Sequence, residues 1–82
     1  MSEEIKNRVI EVMSRVFNVN KEDINIDFMK ENFETWDSIG HLQLIMNLES
    51  DFKIKFRMEE INNIQGVKDC IELVEKYYNN VD

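Results

Sequence analysis

Three stretches of this chain place apolar residues at helical spacing, and no proline interrupts any of them. In the first, Ile5, Val9, Val12, Met13, Val16 and Phe17 make one stripe. Ser2 supplies a cap, and Glu3 and Glu4 suit the positive end of a helix dipole. The spacing therefore predicts a helix over about residues 3–17, stopping near Asn18 or Asn20. The second stretch runs from about residue 38 to 51, with Leu44, Ile45, Leu48 and Phe52 clustered on one side. The third, from about 66 to 78, carries Val67, Cys70, Ile71, Val74, Tyr77 and Tyr78, and the tail at 79–82 is expected to fray. Between the last two, Lys53-Ile54-Lys55-Phe56-Arg57 alternates like a short extended connector. Met58 to Asn62 then makes one helical turn with Ile61 facing inward. With Gly40 and Gly66 the only glycines, the expected fold is all-α. It is a small four-helix bundle of three longer helices and one short one, formed as a single domain over residues 1–82.

Residues 18–37 form a long connection, but not a linker, because Ile24, Ile26, Phe28, Phe33 and Trp36 are spread along it. Asn20 followed by Asp23 can start one helical turn, and the apolar residues are expected to pin the loop across the open end of the bundle. Trp36 is placed to pack on the helix it precedes, as a hydrophobic staple does. The same stretch contains Asp23-x-Asn25-x-Asp27 with Glu34 eleven residues after Asp23, which matches several ligand positions of a calcium loop. Its sixth position is Phe28, where the sharp turn requires glycine, so no metal site is expected.

Ten basic residues against seventeen acidic ones give a net charge of −7, which argues against nucleic acid and anionic membranes as partners. Basic patches on other proteins are the better match. The single cysteine, Cys70, has no intramolecular partner and sits on a core stripe. It reads as a small buried hydrophobe in a reducing compartment. Met1-Ser2-Glu3-Glu4 is acidic and lacks an apolar run, and no stretch is long enough to span a bilayer. A cytoplasmic monomer without stable membrane insertion is the expectation.

The stretch richest in chemistry is Trp36-Asp37-Ser38-Ile39-Gly40-His41-Leu42. Asp37 and Ser38 are both good N-cap residues, and Ser38 stands at the mouth of the second helix. A phosphodiester there would gain ~0.3–1 kcal/mol from the dipole, less some repulsion from Asp37. A plain N-cap needs no function, and capping alone favours that structural reading of Ser38. No Gly-x-Ser-x-Gly elbow surrounds Ser38 and only one histidine could serve as base. No catalytic residue is assigned, and the chain is not read as an enzyme. His41 falls toward the core side of the first turn, as a packed or capping residue. Ile39, Leu42 and Met46 form a second apolar stripe, roughly 140° round from the first. That stripe must either pack on another element or remain exposed for a partner.

Asp37-Ser38-Ile39, about midway along an acidic chain of this length and followed by Leu42, Leu44, Ile45, Leu48 and Phe52, resembles the Asp-Ser-Leu signature of acyl carrier proteins. The resemblance covers nearly the whole chain. It implies that Ser38 carries covalent phosphopantetheine, whose thiol holds acyl or aminoacyl groups as thioesters. It also implies that Asp37 helps a phosphopantetheinyl transferase recognise the serine, and that Ile39 touches that enzyme. The corresponding helix meets its enzymes in this family, which points to Ile39, Leu42, Gln43, Met46 and Glu49 as partner-binding residues. The partners implied are the transferase, an acyl-loading ligase or synthase, and acyltransferases. Housekeeping members usually carry acidic residues where this chain has Gly40 and Gln43, so a specialised stand-alone carrier is expected. Docking through carboxylates then falls to Glu49, Asp51, Glu59 and Glu60. A bound acyl chain is expected to slide under the second helix toward the short one, at ~0.8 kcal/mol per buried methylene. Met13, Met46 and Met58 would make the core adaptable there. The alternatives are an unmodified helical adaptor binding through Ile39, Leu42 and Met46, and a calcium-responsive protein using the 23–34 loop.

Overall fold

The computed structural model describes residues 2–78. The tail at 79–82, expected to fray, lies outside the described residues. Four α-helices follow in order: α1 Glu3–Phe17, α2 Ser38–Phe52, α3 Met58–Asn62 and α4 Val67–Tyr78. The all-α bundle of three longer helices and one short one is therefore the observed architecture.

Each long helix forms where its apolar spacing and its ends agree. Ser2 caps α1 by accepting the Ile5 N–H at 3.3 Å, and Glu3 and Glu4 occupy the first turn. Asn18 ends α1 in the left-handed region at φ 57°, a conformation that asparagine tolerates better than most residues. Lys53 ends α2 with the same φ. The stripes predicted for α1, α2 and α4 supply most of the core. Val9, Met13, Leu44, Leu48, Val67, Cys70, Ile71 and Val74 are fully enclosed. Val16 is only half-buried, and Tyr78 lies on the rim, edge-on to Phe52 at 5.5 Å.

α1 packs against both α2 and α4. The Ser2 N–H donates to the Glu75 carboxylate, tying the start of α1 to α4. Arg8 lies over the Phe52 ring at 4.2 Å and donates to the Asp51 carbonyl at 3.0 Å, tying α1 to the end of α2. Among the described residues no buried side-chain polar atom lacks a partner.

The long α1–α2 connection is built on aromatic packing. Phe17, Phe33 and Trp36 have ring centroids 5.2–5.4 Å apart, and Phe28 meets Phe33 edge-on at 5.8 Å. The expected turn after Asn20 is present as a 3-10 turn at Lys21–Asp23. A second one, at Lys30–Asn32, was not expected from the sequence. It is held from outside: Met29 bridges Gly66, the Lys30 N–H donates to the Gln65 carbonyl, and the Val67 N–H donates to Phe28, both at 2.9 Å. Only a glycine fits at 66, where a Cβ would stand 2.6 Å from the Phe28 carbonyl oxygen.

Residues 54–57 run as an irregular connector that alternates as expected, with Phe56 buried and Lys55 exposed. α3 contains no buried residue, and Ile61 is half-buried against the core. One expectation about the core requires correction. Met13 is buried, but Met46 and Met58 are 61% and 72% exposed, because both lie on faces turned away from α1 and α4. They cannot soften the interior.

Candidate functional site

Asp37, not Ser38, caps α2: its Oδ1 accepts the Gly40 N–H at 2.8 Å. Ser38 is thereby the first residue of the helix, and it is exposed. The helix behind it is fifteen residues long, and its first turn leaves the N–H groups of Ser38 and Ile39 without intrahelical partners.

What fixes this corner is the path of the preceding loop. Trp36 is buried, stacked on Phe17 at 5.2 Å, and its indole N–H donates to His41 Nδ1 at 2.9 Å. An indole nitrogen can only donate, so Nδ1 carries no proton and Nε2 does. His41 Nε2 then donates to the Ile61 carbonyl at 2.9 Å. The staple expected of Trp36 thus takes a polar form. A donor–acceptor chain runs from the loop, through the first turn of α2, into α3. His41 is the packed, capping residue its position suggested, half-buried and bonded on both ring nitrogens.

Gly40 lies against the same loop. A Cβ at this position would stand 2.0 Å from the Thr35 carbonyl oxygen and 3.3 Å from Asp37 Oδ1. A side chain of any kind, acidic ones included, is excluded by backbone.

The second apolar stripe of α2 is exposed: Ile39 is 70% accessible, Leu42 60% and Met46 61%. Gln43 is exposed among them. Glu49 lies further along the same face, and its Oε2 accepts the Phe56 N–H at 2.9 Å, so it also anchors the connector. From Ser38 through Leu48 no residue except His41 can carry a charge, in a chain that is otherwise strongly acidic.

Two more of the acidic residues expected to help in docking also have intramolecular work. Asp51 pairs with Arg8 at 3.5 Å. Glu60 accepts from the Tyr77 hydroxyl, from Lys76 Nζ at 2.9 Å and from the Arg57 N–H at 3.2 Å. The Tyr77 hydrogen bond, with Lys76 beside it, holds the Glu60 carboxyl at about 2 and pushes both Tyr77 and Lys76 upward. These contacts fasten α3 to α4. Cys70 is fully enclosed, and burial raises its thiol far above the usual range, so it is inert.

In the 23–34 loop Asn25 Oδ1 accepts the Asp27 N–H at 2.9 Å, and Lys68 pairs with Asp27 at 3.7 Å. Among the described residues no three His, Cys, Asp or Glu side chains converge as metal ligands, and no helix is long and apolar enough to cross a membrane.

Beside Ser38 opens a hollow of about 460 Å³, walled by Lys30, Trp36, Asp37, Ser38, His41 and Asn62. The 3-10 turn that delivers Lys30 gave no signal in the sequence. The Trp36–His41 pairing did: an aromatic residue before the cap and a partner five positions on is staple spacing.

No family model matches the chain. It is similar to the acyl carrier protein of Lactobacillus johnsonii, 27% identical over 77 residues, which is 94% of this chain and 96% of that protein. It is also similar to the acyl carrier protein of Cyanidium caldarium, 27% identical over 78 residues, which is 95% of this chain and 91% of that protein.

Proposed function

We propose that this chain, which belongs to the acyl carrier protein family, carries acyl or aminoacyl groups on a phosphopantetheine arm attached to Ser38. The observation that carries the reading is the placement of Ser38. It is an exposed first residue of a long helix, with Asp37 beside it already occupied as the cap. Its hydroxyl is reachable by a modifying enzyme, and the open hollow next to it leaves room for a bulky phosphodiester.

In the modification, Ser38 Oγ bonds to the phosphorus of the pantetheine half of coenzyme A. The bond from that phosphorus to the nucleotide half breaks, and the hydroxyl proton passes to a base of the transferase. The arm's thiol supplies thioester chemistry once it is attached. This chain's residues present and orient: Asp37 fixes the first turn, and the Trp36–His41–Ile61 chain of hydrogen bonds holds loop, α2 and α3 in one arrangement. Ile39, Leu42, Gln43 and Met46 form the surface that the transferase, the acyl-loading ligase or synthase, and the acyltransferases would read. Glu49 borders it.

The test is intact mass after incubation with coenzyme A and a broad-specificity phosphopantetheinyl transferase. One modification, absent from Ser38→Ala, is the expected result. The exposed Ile39–Leu42–Met46 stripe would equally serve an unmodified adaptor. An unmodified wild-type chain under these conditions would favour that second reading.

A further inference from the structure

We propose that Lys30 is a positioning residue for the prosthetic arm, pairing its ammonium with the phosphodiester on Ser38 across the hollow they share. The inference rests on Ser38 being the attachment point. Its own support is the electrostatics of that hollow.

Five basic residues pair with carboxylates: Lys6, Arg8, Lys21, Lys68 and Lys76. Of the other five, Arg15, Lys53, Lys55 and Arg57 are exposed. Among the described residues Lys30 alone is half-buried without an anionic partner. In a chain of net charge −7 such a cation has many carboxylates to choose from, yet it stands in the wall of a hollow that also contains Ser38. Lys30 is the only formal cation in that wall, Asp37 the only anion, and Asp37 Oδ1 is already committed to the Gly40 N–H.

The base of Lys30 is also held still. Its N–H bonds the Gln65 carbonyl, its own carbonyl accepts the Phe33 N–H at 3.1 Å, and Met29 next to it bridges Gly66. Asn62, also in the wall, follows the Ile61 carbonyl that accepts from His41. Three separate elements converge here before any arm is present. A phosphate oxygen entering this hollow meets a cation whose backbone needs no further ordering, and charge-assisted pairing is stronger where water is partly excluded. The ligand chemistry is a monoanionic phosphodiester.

The experiment compares the apo and phosphopantetheinylated forms of the wild type, Lys30→Met, Lys30→Arg and Lys55→Met. Lys55→Met removes an exposed cation that does not line the hollow, which controls for net charge. Intact mass first establishes that each is modified. The readouts are the phosphorus-31 chemical shift and linewidth of the phosphodiester, and the change in Tm on modification. The wild type, Lys30→Arg and Lys55→Met should share a broadened, displaced phosphorus signal that sharpens with added salt. Lys30→Met should give the narrow signal of a free phosphodiester and lose any gain in Tm that modification confers on the wild type. A modified Lys30→Met with the wild-type signal and the wild-type change in Tm would overturn the proposal while leaving the attachment site standing. A chain that gains no mass at all would refute both.

Discussion

Placing a single methyl group on residue 40 is the sharpest available test of how the corner around Ser38 is built. In Gly40→Ala the new Cβ would lie 2.0 Å from the Thr35 carbonyl oxygen, and contacts under 3.0 Å are essentially never found. The carbonyl must therefore retreat by about 1 Å. Thr35 cannot move alone. Its hydroxyl donates to the Phe17 carbonyl at 3.4 Å, and its neighbour Trp36 is wedged against Phe17 and bonded to His41. Overpacking of this kind costs ~1–3 kcal/mol, whereas alanine gains at most ~1 kcal/mol over glycine in a helix. The net expectation is about 1–2 kcal/mol of lost stability, or a Tm lower by roughly 5–15 °C for a domain of this size. Thermal unfolding followed by far-UV circular dichroism measures it, with Trp36 fluorescence reporting the displaced indole. Gly40→Asp should be at least as destabilised, because the same Cβ, 3.3 Å from Asp37 Oδ1, would also bring a second carboxylate beside Asp37. A Gly40→Ala protein with unchanged or raised Tm would refute the argument that backbone crowding, not partner choice, dictates this residue.

Other perturbations read other joints of the molecule. Glu60→Gln should lower stability at neutral pH. The Glu60 pKa is depressed from 4.5 to about 2 in the fold, so the difference between variant and wild type should be full above pH 4.5 and disappear as pH falls through about 2. Unfolding midpoints across that range check it. His41→Ala strands the Trp36 indole N–H and the Ile61 carbonyl. It should cost ~1–3 kcal/mol and speed amide exchange in α3 relative to α1, measured by hydrogen exchange. Gly66→Ala should push the loop off α4, since a Cβ would crowd the Phe28 carbonyl and Met29. Loss of protection at the Lys30 and Val67 amides, whose bonds define the bridge, would register it. If an acylated chain threads under α2 toward α3, exchange in α3 should also differ between apo and acylated forms, since that helix has no buried side chain of its own to hold it.

The helices were legible because their signals are local. Ser2, the stripe from Ile5 to Phe17 and Asn18 specify α1 from within, and α2 and α4 announce themselves by the same spacing. The exposed face of α2 was legible only as a choice, since periodicity says that a second stripe exists and not what covers it. Met46 was misplaced into the core for that reason, and Met58 because the single turn of α3 is too short for periodicity to show which side is covered. The turn at Lys30–Asn32 left no trace, because Lys30-Glu31-Asn32 has no apolar rhythm and is fastened through Gly66, far along the chain. The reason for Gly40 was equally hidden: it depends on where the loop lays the Thr35 carbonyl, not on any property of helix α2.

The uncharged run from Ser38 to Leu48 changes how an encounter with this molecule unfolds in time. Opposite charges draw proteins together before they touch, and that attraction is what salt weakens. If partners dock on Ile39, Leu42, Gln43 and Met46, as proposed, that surface adds no such pull of its own, and collisions there would succeed closer to the rate set by orientation. Discrimination would then rest on what happens after contact, in how long each visitor stays.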